Sequence, residues 1–170
     1  MPTCLLDKNV VRRAIEGIGK TQIGYQLTNE ELAALRFLLA AEQGQLLLFI
    51  SIEMQHILDR FGEHPDVQVV HRFIQVLRPA RYFKRWARRL RTHGFTREDA
   101  KVLALATFGV DPATNALGVE QIATFDQPMV NHVAYLQDRL THRLKAMAVQ
   151  LPTPYALARL PVVRSPHDFQ

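Results

Sequence analysis

Cysteine occurs once, as Cys4, so no disulfide forms within the chain and no second thiol stands at zinc-ligand spacing. A lone thiol in a short apolar run is expected as a small core residue of a first strand. Long apolar runs are missing as well. None outlasts Leu46 to Ile50, far short of the roughly 20 residues that a bilayer-spanning helix needs. The N-terminus has no basic segment followed by an apolar one and a cleavage site, so no signal peptide is expected and a cytoplasmic location is the default. Internal repeats, low-complexity tracts and linkers are lacking too. The 170 residues, 48% of them hydrophobic, suffice for one globular domain over 1–170 with a substantial core.

Acids are absent from one long stretch. Val67 to Arg97 holds nine Lys or Arg and no Asp or Glu, while the rest of the chain carries twelve bases against sixteen acids. The net charge of +5 is therefore a basic strip on an acidic body, an arrangement suited to a polyanionic partner such as nucleic acid. Within the strip, Phe83, Trp86, Ala87 and Leu90 form an apolar stripe at helical spacing, and Arg81, Lys84, Arg85, Arg88 and Arg91 fall opposite them. The pattern predicts an amphipathic helix over 81–92 with a cationic polar face. Trp86, on the apolar stripe, is expected in the core rather than as a base-stacking platform.

What is present alternates between strands and helices. Cys4-Leu5-Leu6 reads as a buried strand stopping at Asp7, and Val11, Ala14, Ile15 and Ile18 then recur at helical spacing. Gly17, Gly19 and Gly24 mark a loop. Thr28-Asn29-Glu30-Glu31 is a capping box that opens a second helix, with Leu32, Leu35, Leu38 and Leu39 as its apolar face and Gly44 at its end. Leu46 to Ile50 suits a central parallel strand covered on both sides; it ends at Ser51-Ile52-Glu53, before a helix carrying Met54, Ile57, Leu58 and Phe61. Val67 to Val70 fits a strand or a helix start equally. Thr96 to Asp99 opens a helix that continues through the small residues up to Ala106, and 108–118 reads as a loop. Ile122 to Phe125 is a short strand ending at Asp126; a helical stripe runs from Val130 to Met147, and Leu160 to Val163 suits an edge strand. The alternation argues for an α/β fold with a central parallel sheet flanked by helices.

Four acids share one description. Asp7, Glu53 and Asp126 follow strands, and Asp99 opens a helix of the same pattern. In a parallel sheet, strand C-termini and the following helix N-termini emerge on one edge, so these carboxylates are expected to converge. Converging acids raise each other's pKa values unless a cation neutralises them. Hard oxygen ligands suit Mg²⁺ or Mn²⁺, and such an ion generates hydroxide from water and stabilises charge on a phosphoryl oxygen. With a basic strip to hold a nucleic-acid backbone, the parts describe a metal-dependent nuclease.

The segments LLDKNVV, FISIEMQHIL, GFTREDAKVLALA and IATFDQPMV, with the closing LPVVRSPHDF, resemble the PIN-domain ribonucleases, including toxin ribonucleases of the VapC type. The resemblance implies a single PIN-like domain and a divalent-metal-dependent endoribonuclease. Asp7, Glu53, Asp99 and Asp126 would be its catalytic, metal-holding centre, with Asn9 and Thr124 as supporting polar residues. It also implies RNA as substrate, a small antitoxin protein as partner, and a homodimer. Lys8 departs from the usual small hydroxyl between Asp7 and Asn9. The segments 108–118 and 130–157, the latter a helical extension before the last strand, exceed the smallest members. Two alternatives stand beside this reading. A catalytically inert PIN-like protein would bind RNA or a partner. A haloacid-dehalogenase-type phosphatase would want a second Asp where Asn9 stands, and lacks its later Gly-Asp pair.

Overall fold

The structure, a computed structural model, describes residues 1–169. Its centre is a five-stranded sheet, parallel at every pairing, in the order β3-β2-β1-β6-β7. In chain order the elements begin with β1 (Thr3–Leu6), α1 (Lys8–Gln22), α2 (Asn29–Glu42), β2 (Leu47–Ile50), α3 (Ile52–Arg60), α4 (Pro65–His71) and β3 (Ile74–Val76). There follow β4 (Arg78–Pro79), α5 (Phe83–Arg91), α6 (Arg97–Phe108), β5 (Gly109–Val110), β6 (Gln121–Ala123), α7 (Gln127–Ala148) and β7 (Val162–Arg164). β4 and β5 pair antiparallel as a small separate ribbon.

The two-residue period of the strands divides the core into two layers. Leu5, Phe49, Ile122 and Val163 face a cluster built with Trp86, Leu90, Leu103, Met129 and Leu140 from α5, α6 and α7. Cys4, Leu6, Leu48, Ile50 and Ala123 face the other way, against Val10, Val11, Phe37, Met54, Leu58 and Val70 from α1 to α4. Apolar residues on both faces are what a doubly covered parallel sheet requires. Among the described residues no helix is long and apolar enough to cross a membrane.

Several local expectations are corrected. Gly17 and Gly19 lie inside α1 rather than in a loop. A Cβ on Gly17 would come within 3.0 Å of Leu35 Cδ1 and one on Gly19 within 2.9 Å of Asp66 Oδ2, so these glycines admit α2 and α4 close to α1. The buried face of α2 is Ala33, Ala34, Phe37 and Leu38, leaving Leu32 and Leu39 exposed. The ambiguous Val67–Val70 is helical, with Pro65 at the start of α4. The region 108–118 contains β5 and a bridge from Val110 to Leu117 as well as turns.

The connections fix where a site belongs. The chain builds outward from β1 through β2 to β3, then returns across the other face to place β6 on the opposite side of β1. The strand order thus reverses between β1 and β6, and ligands in open α/β sheets bind outside the carboxyl ends of the strands at such a reversal.

Candidate active site

Asp7 follows β1, and its backbone N–H donates to Ala123 O of β6 at 3.0 Å. The residue caps α1, its Oδ1 accepting from Lys8 N at 2.8 Å. Its Oδ2 accepts from the Thr124 hydroxyl at 2.7 Å and from Asn9 Nδ2 at 3.2 Å. Asn9 reaches back across the reversal, its Oδ1 accepting from Phe125 N at 3.2 Å. Asn9 and Thr124 therefore tie the end of β1 to the end of β6 and set the orientation of Asp7.

Asp126 sits two residues beyond Thr124, and its backbone N–H donates to Thr124 Oγ1 at 3.1 Å. Its Oδ1 accepts from Met129 N at 3.1 Å, capping α7, while Pro128 stands in the first turn where a missing N–H costs nothing. Asp99 lies in the first turn of α6 and donates its backbone N–H to the Thr96 cap at 3.1 Å. Burial pushes the Asp99 carboxyl above its ordinary pKa range, and the negative charge of Asp126 and Asp7 adds to the rise. The Thr96 side chain and His132 act in the opposite sense. Asp99 thus feels both Asp7 and Asp126.

Glu53 comes from β2's side of the sheet, in the first turn of α3 after the Ser51 cap, and is exposed. It lines the same cleft of about 460 Å³ as Asp7, Asp99 and Asp126. All four sequence-predicted acids are brought to one cavity at the carboxyl edge of the sheet. Among the described residues none of them has an ion-pair partner. Nor do three or more acidic, His or Cys side chains there stand together as a ready-made metal cage.

Several further residues line the cleft, and sequence assigns none of them to the site. Glu98, Lys8 and Lys101 line it beside the acids, and Ile52, Ile57, Pro79, Phe83 and Val102 give it an apolar wall. Ile57 and Phe83 match apolar stripes by their helical spacing. Spacing identifies a shared face but not whether that face ends against protein or over a cleft. The predicted basic residues Arg81, Lys84, Arg85, Arg88 and Arg91 are all exposed, with no carboxylate at ion-pair distance among the described residues. Trp86 is fully buried. Tyr82, just before α5, holds a left-handed φ of 72° without a side-chain cap, a conformation costing on the order of 1–3 kcal/mol for a residue other than glycine. Its ring packs edge-on against Tyr155 with centroids 5.0 Å apart, and Arg81 lies over it at 5.1 Å.

Fold and site together define an α/β protein with an acid-lined cleft at the reversal point of a parallel sheet. In comparison with known proteins, no family model, curated protein or solved structure matches this chain.

Proposed function

We propose that the protein is a divalent-metal-dependent endoribonuclease that hydrolyses RNA phosphodiesters. The observation that carries this reading is the gathering of Asp7, Asp99 and Asp126 in one cleft, where none has an ion-pair partner among the described residues and where Asp7 and Asp126 add to the rise that burial causes in the Asp99 carboxyl. A carboxyl whose ionised form is disfavoured by burial and by neighbouring negative charge is costly in a metal-free protein and useful to one that holds a cation. The donor set is entirely hard carboxylate oxygen, the chemistry suited to Mg²⁺ or Mn²⁺. Because Mg²⁺ keeps several waters and is commonly held by one or two carboxylates plus substrate phosphate, it needs no closed cage of three side chains.

When bound, such an ion supplies an activated water and neutralises charge on the phosphoryl oxygens. Asp7, Asp99 and Asp126 would hold it directly or through water, with Asn9 and Thr124 fixing the Asp7 carboxylate. Glu53, on the β2 side, would orient the attacking water or complete the acidic ring. Lys8 and Lys101 sit among the acids, positioned to meet substrate phosphate. The exposed cations of α5 hold the RNA backbone at a distance from the chemistry. The resemblance to toxin ribonucleases makes a small antitoxin the proposed partner and a homodimer the proposed assembly.

The test is cleavage of mixed single-stranded RNA with Mg²⁺ or Mn²⁺, against chelator and an equivalent DNA. Metal-dependent RNA cleavage lost in Asp126→Asn is the expected result. A catalytically inert RNA- or partner-binding protein is the second reading, favoured by the lack of a preformed three-ligand group among the described residues. RNA binding with no cleavage under any divalent ion would select it.

A further inference from the structure

The three aspartates of the cleft reach it from different elements, and two of them share a tie. The Thr124 hydroxyl joins the Asp7 carboxylate to the backbone of Asp126. Among the described residues Asp99 has no hydrogen bond to either, and its backbone N–H goes to its own helix's cap, Thr96. Its place in the cleft therefore depends on what holds the start of α6. The far end of that helix is fastened by backbone bonds, from Val119 N to Ala106 O at 2.8 Å and from Ala80 N to Phe108 O at 3.0 Å. The near end is met by a side chain of α7, His132.

After α5 the chain turns through His93 and Gly94, the latter at a left-handed φ of 89° that glycine adopts freely. Phe95 then buries itself just before the Thr96 cap. His132, on the second turn of α7, reaches across to this turn, its Nε2 lying 2.9 Å from His93 O. A carbonyl only accepts, so Nε2 carries the proton and donates it. The imidazole meets Phe95 edge-on with centroids 4.4 Å apart, and lies against Gly94, where a Cβ would stand 3.5 Å from Cε1 and Nε2. It is also near enough for its charge to act on the Asp99 carboxyl, opposing the rise that burial, Asp126 and Asp7 cause. α7 carries Asp126 as its own cap, so one helix bears both an aspartate of the cleft and the side chain that grips the turn before α6. We infer that His132 is a positioning residue of the acidic centre: by holding the His93–Phe95 turn against α7 it fixes the start of α6, and with it Asp99, beside Asp126 so that the two share one divalent ion. This rests on the metal-binding part of the proposed function and deepens it with a residue from outside the cleft. A side chain that only filled space between helices would affect stability and leave ion affinity untouched.

The experiment measures Mn²⁺ binding to the full chain by titration calorimetry, beside the melting temperature in chelator. His132→Phe keeps a ring against Phe95 but removes the N–H, and should weaken Mn²⁺ binding about ten-fold, the lower end for residues that orient metal ligands from behind. His132→Gln places an amide N–H where Nε2 stands and should restore most of the affinity. Val67→Ala, in α4 of the opposite core layer, supplies a loss of stability unconnected with this turn and should bind Mn²⁺ like wild type. Should His132→Phe not fold, His132→Asn, whose amide stops short of the carbonyl, takes its place with the same expected loss. Wild-type affinity in the variant without the N–H overturns the role, as does a glutamine that restores nothing. An equal loss in Val67→Ala overturns it too, by tracing the effect to general loosening. If wild type binds no divalent ion, the positioning role and the metal reading fall together. If Mn²⁺ affinity depends on His132 as expected but no RNA is cleaved, the role stands and only the nuclease reading falls.

Discussion

The Thr124 hydroxyl donates a 2.7 Å hydrogen bond to Asp7 Oδ2 across a separation of 117 residues. Thr124 Oγ1 in turn accepts from Asp126 N at 3.1 Å and from Asn9 Nδ2 at 3.3 Å. A hydroxyl has one proton and two lone pairs, so this fully buried group is used to its capacity. One side chain thereby orients Asp7 and anchors the backbone of Asp126, the cap of α7.

Thr124→Val keeps the shape and removes all three bonds. It should cost about 1–3 kcal/mol in urea denaturation, because the Asp126 N–H loses its acceptor in a partly buried setting. Under the proposed function, cleavage should fall on the order of 10²-fold as Asp7 loses its fixed orientation. Thr124→Ser should recover most of both. Unchanged stability and rate in Thr124→Val would show that the hydroxyl does not organise the site.

Asp126 caps α7 and also contributes negative charge to Asp99. The two roles separate by substitution. Asparagine still caps but carries no charge, so Asp126→Asn should leave metal-free stability unchanged or raised while abolishing cleavage. Asp126→Ala loses the cap and should cost about 0.5–2 kcal/mol. Destabilisation by Asp126→Ala alone, with cleavage intact in both variants, would leave Asp126 a helix cap alone.

Much of this site was legible because parallel sheets are regular. β1, β2 and β6 appear in sequence as short apolar runs, and an acid placed just beyond such a run must emerge at the carboxyl edge. Other features lacked a signal. β3 is a three-residue edge strand whose middle residue, Gln75, is exposed, so neither a continuous apolar run nor a buried alternation marks it. Gly17 and Gly19 are punctuation in sequence, yet here they serve helix packing, which depends on elements far along the chain. Leu32 and Leu39 match helical spacing, but the smaller Ala33 and Ala34 face the core. The partnership of Thr124 with Asp7 could be suspected only from the resemblance, since no local pattern records a bond between strands.

Asp99 gives a pH signature. Its folded-state pKa lies above the ordinary value of 3.8, chiefly because burial penalises the charged form, with Asp126 and Asp7 adding repulsion. The folded state therefore binds the proton more tightly than the unfolded chain. This group's contribution to stability is greatest below pH 3.8 and falls as pH rises from there through the folded pKa. In metal-free protein, Asp99→Asn should be more stable than wild type at neutral pH, and the difference should shrink on acidification towards pH 3.8. Saturating Mg²⁺ should raise the melting temperature of wild type more than that of the variant. A stability difference independent of both pH and Mg²⁺ would remove Asp99 from the charge cluster.

The exposed face of α5 is testable by salt. Arg85 and Arg88 stand three residues apart on that helix, and neither has a carboxylate partner among the described residues. If they contact RNA phosphates, each contact releases counterions, and the log–log slope of affinity against salt steepens by roughly 0.7 per contact for single strands. Replacing both with Gln should flatten the slope by about 1.4 and weaken binding to a similar degree for unrelated sequences, since phosphate contacts position a strand without reading it. The fold should be unaffected, because both side chains project from the solvent side of the helix and Trp86 and Leu90 provide its buried contacts. Mg²⁺-dependent stabilisation through the acidic cleft should survive in the double variant. An unchanged salt slope would assign this face to a protein partner or to solvent, and RNA would then have to reach the cleft through Lys8 and Lys101 alone.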